Sequence, residues 1–131
     1  MPFISFNKAT DPAVADDLRI NTAAVLYVEA SRPDQLGSTM IHLLGQGTVV
    51  NAVTESVGTV VSAIFSAAGS LVACTRHYLA PPPDAGASTV YISPANVSSV
   101  RPNLPASPDF WVVRFVDGSE LRVLAPLPQG L

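Results

Sequence analysis

The stretch "INTAAVLYV", residues 20–28, returns as "ISPANVSSV", residues 92–100, and this repetition indicates how the chain folds. Matching residues are 72 positions apart, as Ile20 is from Ile92. In both copies a proline-containing loop follows, and then a hairpin turned by glycine: "MIHLLGQGTVVNAV" (40–53) and "VVRFVDGSELRVL" (112–124). The shared order predicts an internal duplication, with repeat one over 20–53 and repeat two over 92–125, because one β-unit cannot bury its apolar face alone.

Between the two repeats the apolar spacing changes from that of a strand to that of a helix. In "TESVGTVVSAIFSAAG", residues 54–69, apolar side chains recur three and four positions apart: Val57, Val60, Val61, Ile64 and Phe65. Thr54 is the predicted N-cap and Gly69 the predicted stop. We expect one helix over 54–69 whose broad apolar face covers the sheet, leaving a row of small residues (Gly58, Ser62, Ser66) exposed.

The rest of the chain favours short strands. "FISF" (3–6) predicts an edge strand, residues 23–29 predict a longer strand, and the Pro-rich segments 81–88 and 101–109 predict loops. A three-residue turn of residues 117–119 would place Phe115 opposite Leu121 in the last hairpin, with Gly118 supplying a positive φ. The expected fold class is α+β, mostly β: two β-meander repeats and one amphipathic helix in a single domain over 1–131.

Composition narrows the classes of protein. Charged residues make up 13% of the chain, against about 25% in an average soluble domain. The net charge is −3 and the bases are scattered, which disfavours duplex DNA binding. A single cysteine excludes an intrachain disulfide, and no signal peptide or membrane span of about 20 apolar residues is visible. We therefore expect a cytoplasmic protein with no membrane partner, part of whose surface meets another protein.

Candidate chemistry is sparse. Cys74 and His77 are three apart, so in a strand they point to opposite faces, and a buried cysteine with a partly exposed histidine is favoured over a metal pair. His42 has no local orienting carboxylate or nucleophile, which favours a structural role over general-base catalysis. Adjacent acids such as Asp16 and Asp17 are usually solvated. We expect no enzyme activity, no cofactor and no metal.

One pattern resembles a known family. The order of four segments resembles that of LytTR-type DNA-binding domains of bacterial response regulators. The segments are "INTAAVLYVEA" (20–30), "VGTVVSAI" (57–64) in the predicted helix, a strand with "RHYL" (76–79), and "FVDGSELRVLA" (115–125). Those domains open with I-x-Y-I-E, run a β-meander into a helix and end in a G-x-x-L-x-V hairpin. Asn21 and Glu55-Ser56-Val57 are similar to small FlbD-like flagellar proteins. The basic R-x-H-R-S stretch of LytTR-type domains is replaced by "ACTRHYLAPPP" (73–83), so no nucleic-acid contact is carried over.

Three functions remain open from the sequence. The first is a non-enzymatic homo-oligomeric structural or scaffold protein of a bacterium or phage, whose contacts involve the small-residue row of the helix or the aromatic pair Phe110 and Trp111. The second is a nucleic-acid-binding regulatory domain, in which scattered arginines converge in space: Arg76, Arg101, Arg114 and Arg122. The third is a small-ligand or peptide-binding module that uses a free sheet edge beside the Pro-rich loops.

Overall fold

The computed structural model describes residues 3–12, 14–32, 35–46, 51–77, 88–102, 110–124 and 126–131. Over these ranges the protein is mostly β with one α-helix, which confirms the predicted fold class. The loops predicted over 81–88 and 101–109 lie almost entirely outside the described residues.

Ten strands, one α-helix and two 3-10 turns make up the described chain. The strands are β1 (Phe3–Asn7), β2 (Asp17–Asn21), β3 (Val25–Ala30), β4 (Thr39–Leu43), β5 (Asn51–Val53), β6 (Val72–Arg76), β7 (Ser88–Ile92), β8 (Val97–Pro102), β9 (Phe110–Phe115) and β10 (Glu120–Leu124). The helix α1 is Val57–Ala68, and the 3-10 turns are Thr22–Ala24 and Pro94–Asn96.

The strands fall into two halves with the same internal order. β1 pairs with β2, and eight further strands form a sheet in the order β5-β4-β3-β7-β6-β10-β9-β8. A bridge between Lys8 and Val53 joins β1 to β5, so the first half (β1 to β5) has the order β2-β1-β5-β4-β3. The second half (β6 to β10) has the order β7-β6-β10-β9-β8. Each strand of one half therefore has a counterpart in the other.

The register of the two halves also corresponds at the spacing of the repeat. The β3–β4 ladder shifts register between Val25 and Tyr27, and the β8–β9 ladder shifts between Val97 and Ser99, 72 positions on. The backbone bond from Leu44 N to Ala24 O has its counterpart in the bond from Val116 N to Asn96 O. The geometry agrees with two related units, and the duplication itself stays a prediction.

A ladder between β3 and β7, which we call the seam, joins the halves. Tyr27 pairs with Ile92 and Val28 with Tyr91, and Ser93 N donates to Leu26 O at 2.9 Å. All other strand pairs of the eight-stranded sheet lie within one half, so the seam carries the sheet from one half to the other.

Each half has its own apolar core. The first core contains Phe6, Ile20, Val25, Val28, Ile41, Val53, Val60 and Ile64. The second contains Leu26, Cys74, Val90, Ile92, Val113, Phe115, Leu121 and Val123. Leu26 belongs to β3 of the first half but packs in the second core, so the two cores meet at the seam.

Helix α1 covers the first core. Val60 and Ile64, four residues apart, are buried at 0% and 1% exposure, as helical spacing requires. The helix ends at Gly69 with φ +101°, as predicted, but its N-cap is Ser56 rather than Thr54, because the Ser56 side chain accepts from Thr59 N. Phe65, expected on the buried face, is 54% exposed, because it lies on the side of the helix away from the core.

The first predicted strands differ in detail from those of the structure. The strand expected over 23–29 begins only at Val25, because the Asn21 side chain accepts from Ala23 N at 3.0 Å and turns the chain into the first 3-10 turn. The residues before that turn form β2. The "FISF" strand forms as β1 and pairs with β2, and the residue after it, Lys8, bridges to Val53 at the end of β5.

The last hairpin is displaced by two residues from the predicted register. Gly118 N donates to Phe115 O and Phe115 N donates to Ser119 O, so the turn is Val116–Gly118 and Val113 faces Leu121. A displacement by two keeps every side chain on its predicted face, because side chains alternate along a strand. The predicted positive φ of Gly118 is confirmed at +89°.

The helix gives a matched pair of neighbouring residues to test. Replacing Ile64 by Ala should lower the free energy of unfolding by about 2 to 4 kcal/mol, because it leaves a cavity in the first core. Replacing the exposed Phe65 by Ala should change it by less than about 1 kcal/mol. Urea unfolding of both variants checks this, and equal losses would show that α1 is rotated from the described orientation.

Candidate functional site

A buried charged cluster lies on the seam where strands of both halves approach. Glu29 in β3 is only 7% exposed. Arg76 in β6 donates from Nη1 to both carboxylate oxygens, at 2.8 and 2.7 Å. His42 in β4 lies with Nε2 3.1 Å from Glu29 Oε1. The cluster thus connects one acid of the first half to a base of the second half.

Aromatic rings cover one side of this cluster. The Tyr27 ring, two residues from Glu29 in β3, stacks on the His42 ring with centroids 4.0 Å apart and on Phe115 at 5.7 Å. Because Phe115 belongs to the second core, the stack also crosses from one half to the other. A low-dielectric surrounding strengthens the ion pair that it covers.

The electrostatics of the cluster favour an ionised carboxylate. Burial raises the pKa of Glu29, but the hydrogen bonds from His42 and Arg76 and the charges of both outweigh burial, so its pKa lies below the ordinary 4.5. Both carboxylate oxygens already accept from protein donors. A carboxylate held in this way is a poor general base, since its lone pairs are occupied and its basicity is reduced. The arrangement is suited to holding the halves together.

A second tie lies at the other end of the seam. Asn96, the last residue of the second 3-10 turn, donates from Nδ2 to Ala23 O and to Val25 O, each at 2.8 Å. Asp117 in the hairpin turn accepts from Gly45 N at 3.0 Å, again across the halves. The seam is therefore fastened by polar contacts on both sides of its ladder.

Cys74 and His77 lie as the strand geometry predicts. Cys74 is buried in the second core, and burial raises the pKa of its thiol to about 11, so the thiol is uncharged at neutral pH. His77 is partly buried and stacks on Phe110, with ring centroids 4.3 Å apart. Over the described residues, no three His, Cys, Asp or Glu side chains are grouped so as to hold a metal ion.

The residues predicted to form an interface are divided between two places. Gly58, Ser62 and Ser66 are all exposed on α1. Phe110 is buried at 3% exposure inside its own chain, whereas Trp111 is only partly buried. The helix row and the aromatic pair do not adjoin, since α1 packs on the first core and Trp111 on the second.

Three of the four candidate arginines converge. Arg101 in β8 and Arg122 in β10 both face Val112 of β9, and Arg114 lies two residues on, so the three share one sheet face. Glu120 stands among them, opposite Arg114 and 3.6 Å from Arg101. Arg76 is not part of this group, because it points to the opposite face and pairs with Glu29.

A groove of about 520 Å³ runs beside β8. Its apolar walls are supplied by β8, by Trp111 and by the end of the chain: Val97, Val100, Leu127 and Leu131. The groove lies on the inner face of β8, because Val100 pairs with the core residue Val113.

Glu29 and Asn96 were missed by the sequence reasoning. An acid within "VLYVEA" signals only that one strand position is polar, and its partner Arg76 lies 47 positions away. Asn96 lies inside the repeated phrase (92–100), where nothing in the sequence distinguishes it as a contact across the halves. Such residues can be recognised as partners only once the pairing of the strands is known, and the sequence alone does not give that pairing.

Comparison of the chain with protein-family models, with curated proteins and with solved structures found no match. The resemblance to LytTR-type domains and to FlbD-like proteins stays a prediction. The α-helix of the described chain has twelve residues, and no helix in these ranges is long and apolar enough to cross a membrane.

The charged cluster predicts a particular response to acid. Because the pKa of Glu29 is lower in the folded chain than in the unfolded chain, its contribution to stability is complete above about pH 5 and is lost as pH falls below 4.5. At pH 7, Glu29→Gln should lower the free energy of unfolding by about 3 to 5 kcal/mol, since it leaves Arg76 partly buried without its counter-charge. Urea titrations at several pH values measure both effects.

The matched control is Glu120→Gln, which removes an exposed acid paired with Arg101. Its effect at pH 7 should stay within about 1 kcal/mol. The gap between wild type and Glu29→Gln should narrow as pH falls toward 3. A gap that is constant from pH 7 to pH 3 would show that ionised Glu29 does not hold the seam.

Proposed function

We propose that the protein is a non-enzymatic homo-oligomer with a structural or scaffold role, in the cytoplasm of a bacterium or in a phage assembly. The observation that carries the proposal is the exposure of several large apolar side chains on a chain with few charges. Large apolar side chains are exposed at six described positions: Phe3, Val14, Leu36, Leu44, Phe65 and Val116. Only seven basic and ten acidic residues are present in the whole chain. Exposed apolar surface is typical of protein contacts.

The polar groups inside the described part of the chain support the same proposal. Glu29, His42 and Arg76 bind one another, and the Cys74 thiol is buried and uncharged. Side chains of these types serve in catalysis in other proteins, and here Glu29, His42 and Arg76 have hydrogen-bond partners while Cys74 packs in the second core. A role in which the fold presents surfaces to other molecules therefore has more support than one in which it performs a reaction.

Two surfaces from the sequence analysis remain candidates for the contact between copies. One is the row of small residues on α1, which lies open beside the exposed Phe65. The other is the surface around Trp111, which lines the groove beside β8.

The nucleic-acid alternative has less support. Arg101, Arg114 and Arg122 share a face, but Glu120 lies within the group and the net charge of the chain is −3. Binding to phosphates depends on an excess of positive charge. The ligand-binding alternative has the groove beside β8, whose polar side chains are Ser98 and Ser99.

The proposal is tested by the mass of the protein in solution. Light scattering coupled to gel filtration, over a dilution series down to about micromolar concentration, should give a mass that is a multiple of the 13.7 kDa chain. A mass of 13.7 kDa at every concentration would contradict the proposal, because the exposed apolar surface would then have no second copy to meet.

A further inference from the structure

Four strands end a sheet within the described residues: β1, β2, β5 and β8. The bridge between Lys8 and Val53 brings β1 and β5 together, which leaves the outer edges of β2 and β8 without a strand partner in this part of the chain. Their counterparts in the other half are β7 and β3, and these two pair with each other at the seam. Each copy of the chain therefore makes this strand pairing once, at the seam. Its β8, the counterpart of β3, and its β2, the counterpart of β7, each keep one open edge. Open edges of this kind are templates for pairing with another chain.

At both open edges, the residues that correspond to Val28 and Tyr91 of the seam direct their backbone N–H groups outward. Lys8 N donates to Asp16 O across the β1–β2 ladder, and alternation along that ladder turns the N–H of Arg19 away from β1. In β8, Pro102 has no N–H, so its nitrogen is suited to the side away from β9. The N–H of Val100, two residues before Pro102, is also directed away from β9. Val100 is the counterpart of Val28, which faces β7 in the seam.

We infer that copies of the chain join head to tail, with β8 of one copy pairing antiparallel with β2 of the next in the register of the seam. Val28 is opposite Tyr91 in the seam, so Val100 stands opposite Arg19 of the next copy. The inference rests on the proposed homo-oligomer and names its contact surface. Because the contact joins two different edges, it closes into a ring or continues as a filament, according to the rotation between copies.

Side chains at both open edges reach solvent, although Ser98 donates to Arg114 O and Arg101 lies 3.6 Å from Glu120. Ser98, Ser99 and Arg101 of β8 are exposed, and Arg19 of β2 is 77% exposed, with only a long 3.8 Å approach to Asp17. Tyr91, the counterpart of Arg19, packs against the first core. At the contact between copies, Arg19 takes the place of Tyr91 and lies over Val100 and the groove beside Trp111. There its guanidinium group can make a cation–π interaction with the indole ring.

The charges at this contact are exchanged relative to the seam. The positions of Glu29 and Ser88 are taken by Arg101 and by Asp16 of the next copy, so the acid stands on the other strand. The positions of His42 and Arg76 are taken by Arg114 and Lys8, so the buried salt bridge is not repeated. The contact between copies is therefore weaker than the seam. Arg101 lies 3.6 Å from Glu120 of its own copy and stands opposite Leu18 of the next copy, so its attraction to Asp16 is diagonal and is screened by salt.

Cross-linking tests the register. A chain with Arg19→Cys mixed with a chain with Val100→Cys should form a disulfide-linked pair on oxidation, because opposite residues of a hydrogen-bonded pair have Cα atoms about 5.5 Å apart. Neither chain alone should form it, and the native Cys74 is buried. The control mixture of Arg19→Cys with Arg114→Cys, one strand inside the edge, should stay unlinked. A link in Val100→Cys alone would overturn the head-to-tail contact in favour of a two-fold β8–β8 contact.

Mass measurements separate this inference from the proposed function. Arg19→Pro removes one outward N–H without breaking the β1–β2 ladder and should abolish assembly at concentrations where wild type is assembled, whereas Arg19→Lys should keep it. Circular dichroism confirms that both variants fold. If wild type assembles and folded Arg19→Pro keeps its mass while Ser62→Arg loses it, the contact lies on α1, and the edge inference fails while the homo-oligomer stands. A monomeric wild type contradicts both.

Discussion

The ladder between β3 and β7 is the contact on which the rest of the fold depends. It is the one strand pair of the described eight-stranded sheet that joins the halves, and Leu26 crosses it to pack in the second core. Polar contacts fasten it at both ends: Asn96 to the first 3-10 turn, and Glu29 to Arg76. A buried acid held by two donors is costly to separate, because opening the seam would leave a charge partly desolvated.

The fold has two small apolar cores that meet at the seam. Small domains bury a smaller share of their surface than large ones, so each half gains stability by packing on the other across the seam. Helix α1 covers the first core, and Leu127 and Leu131 near the end of the chain pack against the second. Within the described residues, β2 and β8 are the counterparts of the seam strands β7 and β3, and their outer edges have no strand partner. These are the edges that the inferred contact between copies would join.

The sequence predicted the fold class and the helix with its end at Gly69, because these depend on periodicity and on local turn chemistry. The duplication agrees with the matching strand order of the two halves and stays a prediction. The sequence did not predict β2 or the turn after it, since one hydrogen bond from Ala23 N to the Asn21 side chain turns the chain between β2 and β3. It missed Glu29 and Arg76, because an ion pair between residues 47 positions apart becomes visible only when the strand order is known. Burial of Phe65 was misassigned because helical spacing alone does not fix where the apolar face ends.

Native-state hydrogen exchange at the seam tests the central claim most directly. Val28 and Tyr91 face each other as a hydrogen-bonded pair in the seam, while Val113 faces Leu121 within the second half. If the seam holds the two halves as one cooperative unit, the amides of Val28, Tyr91 and Val113 exchange with the same opening free energy, that of global unfolding. Exchange of Val28 and Tyr91 at a clearly lower opening free energy than Val113 would show that the halves separate before they unfold, and would contradict the account.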